Sequence, residues 1–156
     1  MKVCVRAQVE VPRPRDEVFD FATSCEALPR FLKAEVPVPG IARAELIEGP
    51  RMRKGTRRRI SLTDSTWLLE EIVAHERPGR HRYRWVTRPP LPFGLIVGGG
   101  EADWSFAESD GGTRVDWLYT FELSSPLAYP LALPFAALFR RWMARGLSRL
   151  EAEMRG

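Results

Sequence analysis

The chain has 156 residues, 44% of them hydrophobic and 28% charged, a balance that suits one soluble domain, residues 1–156, with a core or a core plus a cavity. Its formal charge of +4, from 24 basic against 20 acidic residues, is too small a surplus for a protein that works mainly by holding phosphates. Two cysteines, Cys4 and Cys25, exclude a disulfide framework and fit a reducing compartment, so the expected location is cytoplasmic.

Residues 3–11 alternate strictly, with Val3, Val5, Ala7, Val9 and Val11 on one face and Cys4, Arg6, Gln8 and Glu10 on the other, which predicts a half-buried strand. The lysine and arginine in this opening stretch argue against a signal peptide. "PRPRDEVFDFATS" then changes period, placing Val18, Phe19 and Ala22 at helical spacing behind acidic first-turn residues. "CEALPRFL" predicts a second short helical piece, interrupted at Pro29.

From Ile41 to Leu123 the breaks at "EGPRMRKG", "TDS", "RPGR", "RPPLPFGLIVGGG" and "SDGG" mark off about six strands of an antiparallel meander. A four-residue loop, Ser109–Gly112, pairs Phe106 with Val115 and Trp104 with Trp117 and gathers the aromatics on one face. At "RPGR" the same exercise turns Leu68, Ile72, Ala74, Tyr83 and Trp85 inward, with Glu70 and Thr87 beside them, and sends Arg82, Arg84 and Arg88 to water. Beyond Pro134 a helix of about 21 residues is expected, with Phe135, Leu138, Phe139, Trp142, Gly146, Leu150 and Met154 on its apolar face and Arg141, Arg145 and Arg149 opposite. Pro130 and Pro134 predict that residues 126–133 are kinked or partly helical. The uncharged stretch from Leu123 to Phe139, broken by three prolines, is too short to span a bilayer.

"VPRPRDEVFDFATSCEALPRFL" resembles the opening of the START/polyketide-cyclase superfamily (SRPBCC, helix-grip, Bet v 1-like). The residues that carry the likeness are Pro12 or Pro14, Glu17, Val18, Phe19, Pro29 and Phe31, and "KGTRRRI" and "GGTRVDWLYTFEL" resemble the family's strand starts. The resemblance implies an α+β fold, order β-α-α-β6-α, in which a curved antiparallel sheet wraps around the long C-terminal helix. It also implies a hydrophobic cavity between sheet and helix. The family holds ligand binders, lipid carriers and cyclases, so membership leaves activity open.

Meander connections alternate between the two ends of the sheet. The run "RMRKGTRRR", six basic residues in nine, is therefore a hairpin flank at the end opposite two charge-free, proline-stiffened connections, residues 89–100 and 123–139. Alternation turns Arg58 inward with Ile60 and Leu62, where it can meet a carboxylate or orient the polar end of a ligand. No nucleic-acid module accompanies the run, and no nucleic acid is expected to bind. The two apolar connections read as the lips of a pocket, with Phe93, Leu95 and Tyr129 at its entrance, or as a surface for transient contact with a membrane or a protein. Tyr83, Trp85, Trp104, Trp117, Tyr119, Phe139 and Trp142 are expected either as core or as the lining of a cavity for a lipid, isoprenoid or polyketide-like molecule.

For catalysis the one candidate is Glu70, an inward carboxyl whose pKa an apolar cavity would raise, near Tyr83 and Tyr119. The alternative is a strand glutamate at a wet edge. His75 and His81 flank one turn without a third ligand, so no metal is expected; no cofactor motif is present, and "GGGE" reads as backbone flexibility. A polyketide cyclase, aromatase or dehydratase using the same cavity is the alternative to a binder.

Overall fold

The strict alternation at the start of the chain becomes β1 (Lys2–Val11) in the computed structural model, which describes residues 1–155. Val5, Ala7 and Val11 are buried, while Arg6, Gln8 and Glu10 face water. Pro12 and Pro14 end the strand, and α1 (Arg15–Thr23) follows, with Asp16 and Glu17 at its positive end and Val18, Phe19 and Ala22 in the core. The second piece is a single turn, α2 (Leu28–Phe31). Pro29 does not interrupt it; it lies in the first turn, where a missing N–H breaks no hydrogen bond.

Six strands follow: β2 (Ile41–Leu46), β3 (Arg57–Leu62), β4 (Trp67–Glu76), β5 (Arg80–Trp85), β6 (Val97–Ser109) and β7 (Gly112–Leu123), with a one-turn helix, α3 (Phe93–Ile96), between β5 and β6. The sheet runs β1-β7-β6-β5-β4-β3-β2 and every pairing is antiparallel. Phe106 pairs with Val115 and Trp104 with Trp117 as expected. The β6–β7 turn is tighter than four residues, because Ser109 pairs with Gly112 and Gly111 takes a φ of 85° that glycine adopts without strain.

Between β4 and β5, Ile72 pairs with Tyr83 and Glu70 with Trp85, and a bulge follows Ile72. The extra residue turns Ala74 to the outer face opposite Arg82, against expectation, and brings His75 and His81 together on the inner face.

The C-terminal helix, α4 (Tyr129–Arg155), has 27 residues and includes Pro134. A 3-10 turn over Pro126–Ala128 leads into it, capped by the Ser125 side chain, which accepts from the Leu127 N–H at 3.2 Å. Only one internal hydrogen bond, to the carbonyl of Pro130 in the first turn, is lost at Pro134, so the helix continues through a residue expected to kink it. Its buried face is Phe135, Phe139, Trp142, Met143, Gly146, Leu147 and Leu150; Leu138, expected there, is largely exposed, and Met143 and Leu147 replace it. Met154, also expected on that face, is only partly buried and packs against the core's edge. Gly146 lets the helix approach α2, since a Cβ there would lie 2.8 Å from Leu32 Cδ2.

α4 packs mainly along β1, with α2 beside it. It covers the β1 side of the concave sheet face most closely, and over β3 to β5 it contributes only the side chains of Phe135, Phe139 and Trp142 beside the connections.

Candidate functional site

On the covered half, Trp104 of β6 and Trp117 of β7 are closed into solid core. Trp104 and Trp117 stack with ring centroids 4.4 Å apart, Phe31 from α2 meets Trp104 edge-on at 6.4 Å, and Trp142 packs on Trp117 at 5.8 Å. Tyr83, expected on a cavity wall with Trp104 and Trp117, belongs to this packing as well, under the Arg58 guanidinium, whose Cζ lies 4.6 Å from its ring centre. None of the three borders open space.

On the uncovered half there is a cavity of about 70 Å³. Its sheet wall is Ile60, Leu62, Leu68, Glu70 and Trp85, with Tyr119 behind, and its helix wall is Phe135, Phe139 and Trp142. Val38, Pro39, Pro89, Pro90 and Phe93 form the rim. Four of the seven expected lining residues are therefore here: Trp85, Tyr119, Phe139 and Trp142. Of the three expected at the entrance, Phe93 borders the cavity, its ring 5.1 Å from Phe135, whereas Leu95 and Tyr129 lie outside on the surface. The contributions of Ile60, Leu62 and Leu68 were readable from the β3 and β4 alternation; those of Val38 and Pro39 were not, because the segment between α2 and β2 carries no periodicity.

Gly100 fixes the position of Trp85. A Cβ at this glycine would meet the indole at 2.8 Å, so the stretch read as flexible backbone is a seat for a flat ring. The indole of Trp142 is held by its own N–H, which donates to the Lys33 carbonyl at 2.8 Å. The indole nitrogens of Trp85 and Trp117 are buried without a hydrogen-bond partner among the described residues.

One ion pair sits beneath the cavity. Arg58 and Glu70 face each other in the β3–β4 register, and Arg58 Nε donates to Glu70 Oε1 at 2.7 Å with both side chains nearly sealed from solvent, 2% and 5% exposed. The arginine thus meets a carboxylate of its own sheet, and only the glutamate borders the cavity. Burial pushes the Glu70 carboxyl above its ordinary range, while Arg58 works in the opposite direction. Tyr119 donates to the Tyr83 hydroxyl at 3.4 Å. Burial and the nearby Glu70 push Tyr83 up to about 12, and burial with its tyrosine neighbour holds Tyr119 well above 10, so both stay neutral donors.

His81, expected at a hairpin end, is buried, its Nδ1 3.1 Å from His75 Nδ1. Burial and the Arg58 charge lower both imidazoles, His81 strongly. Among the described residues no group of three or more His, Cys, Asp or Glu is arranged to hold a metal ion. The site can enclose an apolar group and border it with the Glu70 carboxyl and Tyr119.

This geometry has relatives. TTHA0849 from Thermus thermophilus is 25% identical with a TM-score of 0.72, the match covering 97% of each chain. The di-domain ARO/CYC BexL from the BE-7585A biosynthetic pathway aligns at 16% identity and TM-score 0.71 over 99% of this chain and 50% of its own. Ara h 8.0201 aligns at 16% identity and TM-score 0.62, covering 96% of this chain and 99% of the other. The last two likenesses speak for the fold alone, and no curated protein matches the sequence. The family model described as polyketide cyclase / dehydrase and lipid transport matches residues 2–155. With that match spanning the sheet and its gripped helix alike, the chain belongs to this family, on the helix-grip, Bet v 1-like fold that its opening residues resemble.

Proposed function

We propose that the protein, acting as a single domain, binds a small, mostly apolar molecule of lipid, isoprenoid or polyketide type in the cavity beside α4. The supporting observation is the division of the concave face: a sealed aromatic core on one half and, on the other, a partly open cavity whose wall is apolar except for Glu70 and Tyr119. A volume of about 70 Å³ admits a few waters or a small fragment. A larger ligand enters by displacing Phe93 and Phe135, which rest on each other across the rim. The free cysteines suit a reducing cytoplasm. The basic run gives little support to a nucleic-acid role: Arg58 is inside, Arg59 lies over Trp67 at 4.6 Å, and its other basic residues are exposed at the end of the sheet away from the cavity. The apolar rim is left for transient contacts.

Native mass spectrometry of the purified protein, followed by organic extraction, tests this. A stoichiometric apolar adduct is expected. A clean apo mass, with no uptake from a panel of fatty acids, isoprenoid alcohols and aromatic polyketides, would overturn it.

The cyclase reading rests on Glu70 and Tyr119 bordering the same space. It requires turnover that Glu70→Gln abolishes while binding persists. The tie between Glu70 Oε1 and Arg58 favours a holding role over proton transfer.

A further inference from the structure

The two connections whose inner sides roof the cavity are apolar on their outer sides as well. Leu91 and Leu95 on the β5–β6 connection, and Leu127, Leu131, Leu133 and Leu138 around the start of α4, are exposed from 41% (Leu138) to 89% (Leu127). The segments form one surface, joined by the Ser124 hydroxyl donating to the Leu95 carbonyl at 2.6 Å and by the Phe93–Phe135 contact. Single exposed leucines are ordinary; six gathered on two adjoining segments are not.

From Pro126 to Leu138 every exposed side chain is uncharged, and Tyr129 alone can hydrogen-bond. The apolar face runs roughly 17 Å along the helix. Just beyond it, the exposed residues change to Arg140 and Arg141, which have no ion-pair partner among the described residues, and then Arg145. Arg88 stands at the matching edge of the other connection, donating to the Gly94 carbonyl.

We infer that this face docks the protein on an anionic lipid bilayer, with the leucines in the acyl boundary, Tyr129 at headgroup depth, and Arg140 and Arg141 on lipid phosphates. Three features favour lipid. A protein interface of this size would satisfy about one hydrogen bond per 100–200 Å², and this face offers only Tyr129, whereas hydrocarbon asks for none. A second copy would leave the arginines unanswered, since no acidic residue occurs between Leu123 and Arg149. Along one helix the exposed side chains pass from leucines and a single phenol to unpaired cations, the combination of apolar and basic groups that an anionic bilayer surface accepts. Among the described residues no helix is long and apolar enough to cross a membrane, so the helix rests on the surface. Docking would set the rim of the cavity against the bilayer, yet it stands on the outer face and does not depend on the cavity being filled.

Cosedimentation of the full chain with phosphatidylcholine vesicles, with and without phosphatidylserine, tests the inference. Binding to the anionic vesicles is expected, weakened but not abolished by salt. Leu127→Glu and Leu131→Glu should each reduce it by roughly tenfold or more, and Arg140→Glu with Arg141→Glu by a similar factor. All four positions are exposed, so unchanged circular dichroism will confirm that the variants fold. The inference is overturned by no binding to either vesicle, by leucine variants that bind like the parent, or by equal binding to both lipids. It is also overturned if sedimentation velocity shows self-association that Leu127→Glu removes, which would assign the face to a second copy.

Discussion

Arg58 and Glu70 are paired by register, sealed from water and adjacent to the cavity, so their replacement separates structural from chemical roles. Glu70→Gln leaves a guanidinium buried without its anion and should cost about 3–5 kcal/mol in urea unfolding. Arg58→Met combined with Glu70→Leu should recover most of that loss, because desolvating the two charges offsets much of their attraction. A double variant as unstable as the single one would mean the ion pair is strongly net stabilising. His81 supplies the pH dependence. Its folded pKa lies well below the ordinary 6.5, so above 6.5 folding meets no penalty, and below it the unfolded chain takes up a proton that the folded one refuses. Stability should therefore fall as pH drops through 6.5 towards the folded value, and His81→Phe should flatten that slope. Glu70 acts in the opposite sense: its folded pKa is raised, so its contribution is fullest below 4.5 and declines as pH rises through the folded value. The fall below 6.5 thus belongs to the histidines, His75 adding a smaller part.

Among the elements, β6 and α4 decide the shape of the cavity. Gly100→Ala would place a methyl against the Trp85 ring at 2.8 Å, at a cost of about 1–3 kcal/mol, and tilt the indole into the cavity. A shifted tryptophan emission together with weakened ligand uptake checks this; unchanged emission would mean the strand yields instead. Trp117→Ala, by contrast, excavates core beside Trp104 and Trp142, and its expected signature is a loss of about 3–5 kcal/mol in stability, with no selective loss of affinity in the fraction that folds. At α3, Phe93→Ala removes one leaf of the rim. Stopped-flow binding should show faster entry and faster exit, with the dissociation constant altered by less than about threefold, a difference of roughly 0.6 kcal/mol.

The whole molecule should unfold in one step, since β1, lying first in sequence and last in the sheet, joins the N-terminus, the β7 edge and α4 in a single core. Far-ultraviolet circular dichroism and tryptophan emission are expected to give superimposable urea transitions; separated midpoints would divide the chain. At this scale the sequence by itself determined the order of elements, the register of the β6–β7 ribbon and the inward turn of Arg58, because period-two alternation and turn residues act over a few neighbours. Two charge-free connections falling at the same end of a meander were legible too, and the structure brings them together through Phe93 and Phe135. Only the tertiary structure decided which aromatics are core and which are wall: α4 lies along β1 and fills the space over Trp104 and Trp117, leaving the open volume beside Ile60, Leu68 and Glu70. The bulge that turned His75 and His81 inward, and the helix that runs through Pro134, were equally beyond the local pattern. A bulge adds one residue without changing composition, and helix placement depends on close approaches such as Gly146 on Leu32, made between residues more than a hundred positions apart in the chain.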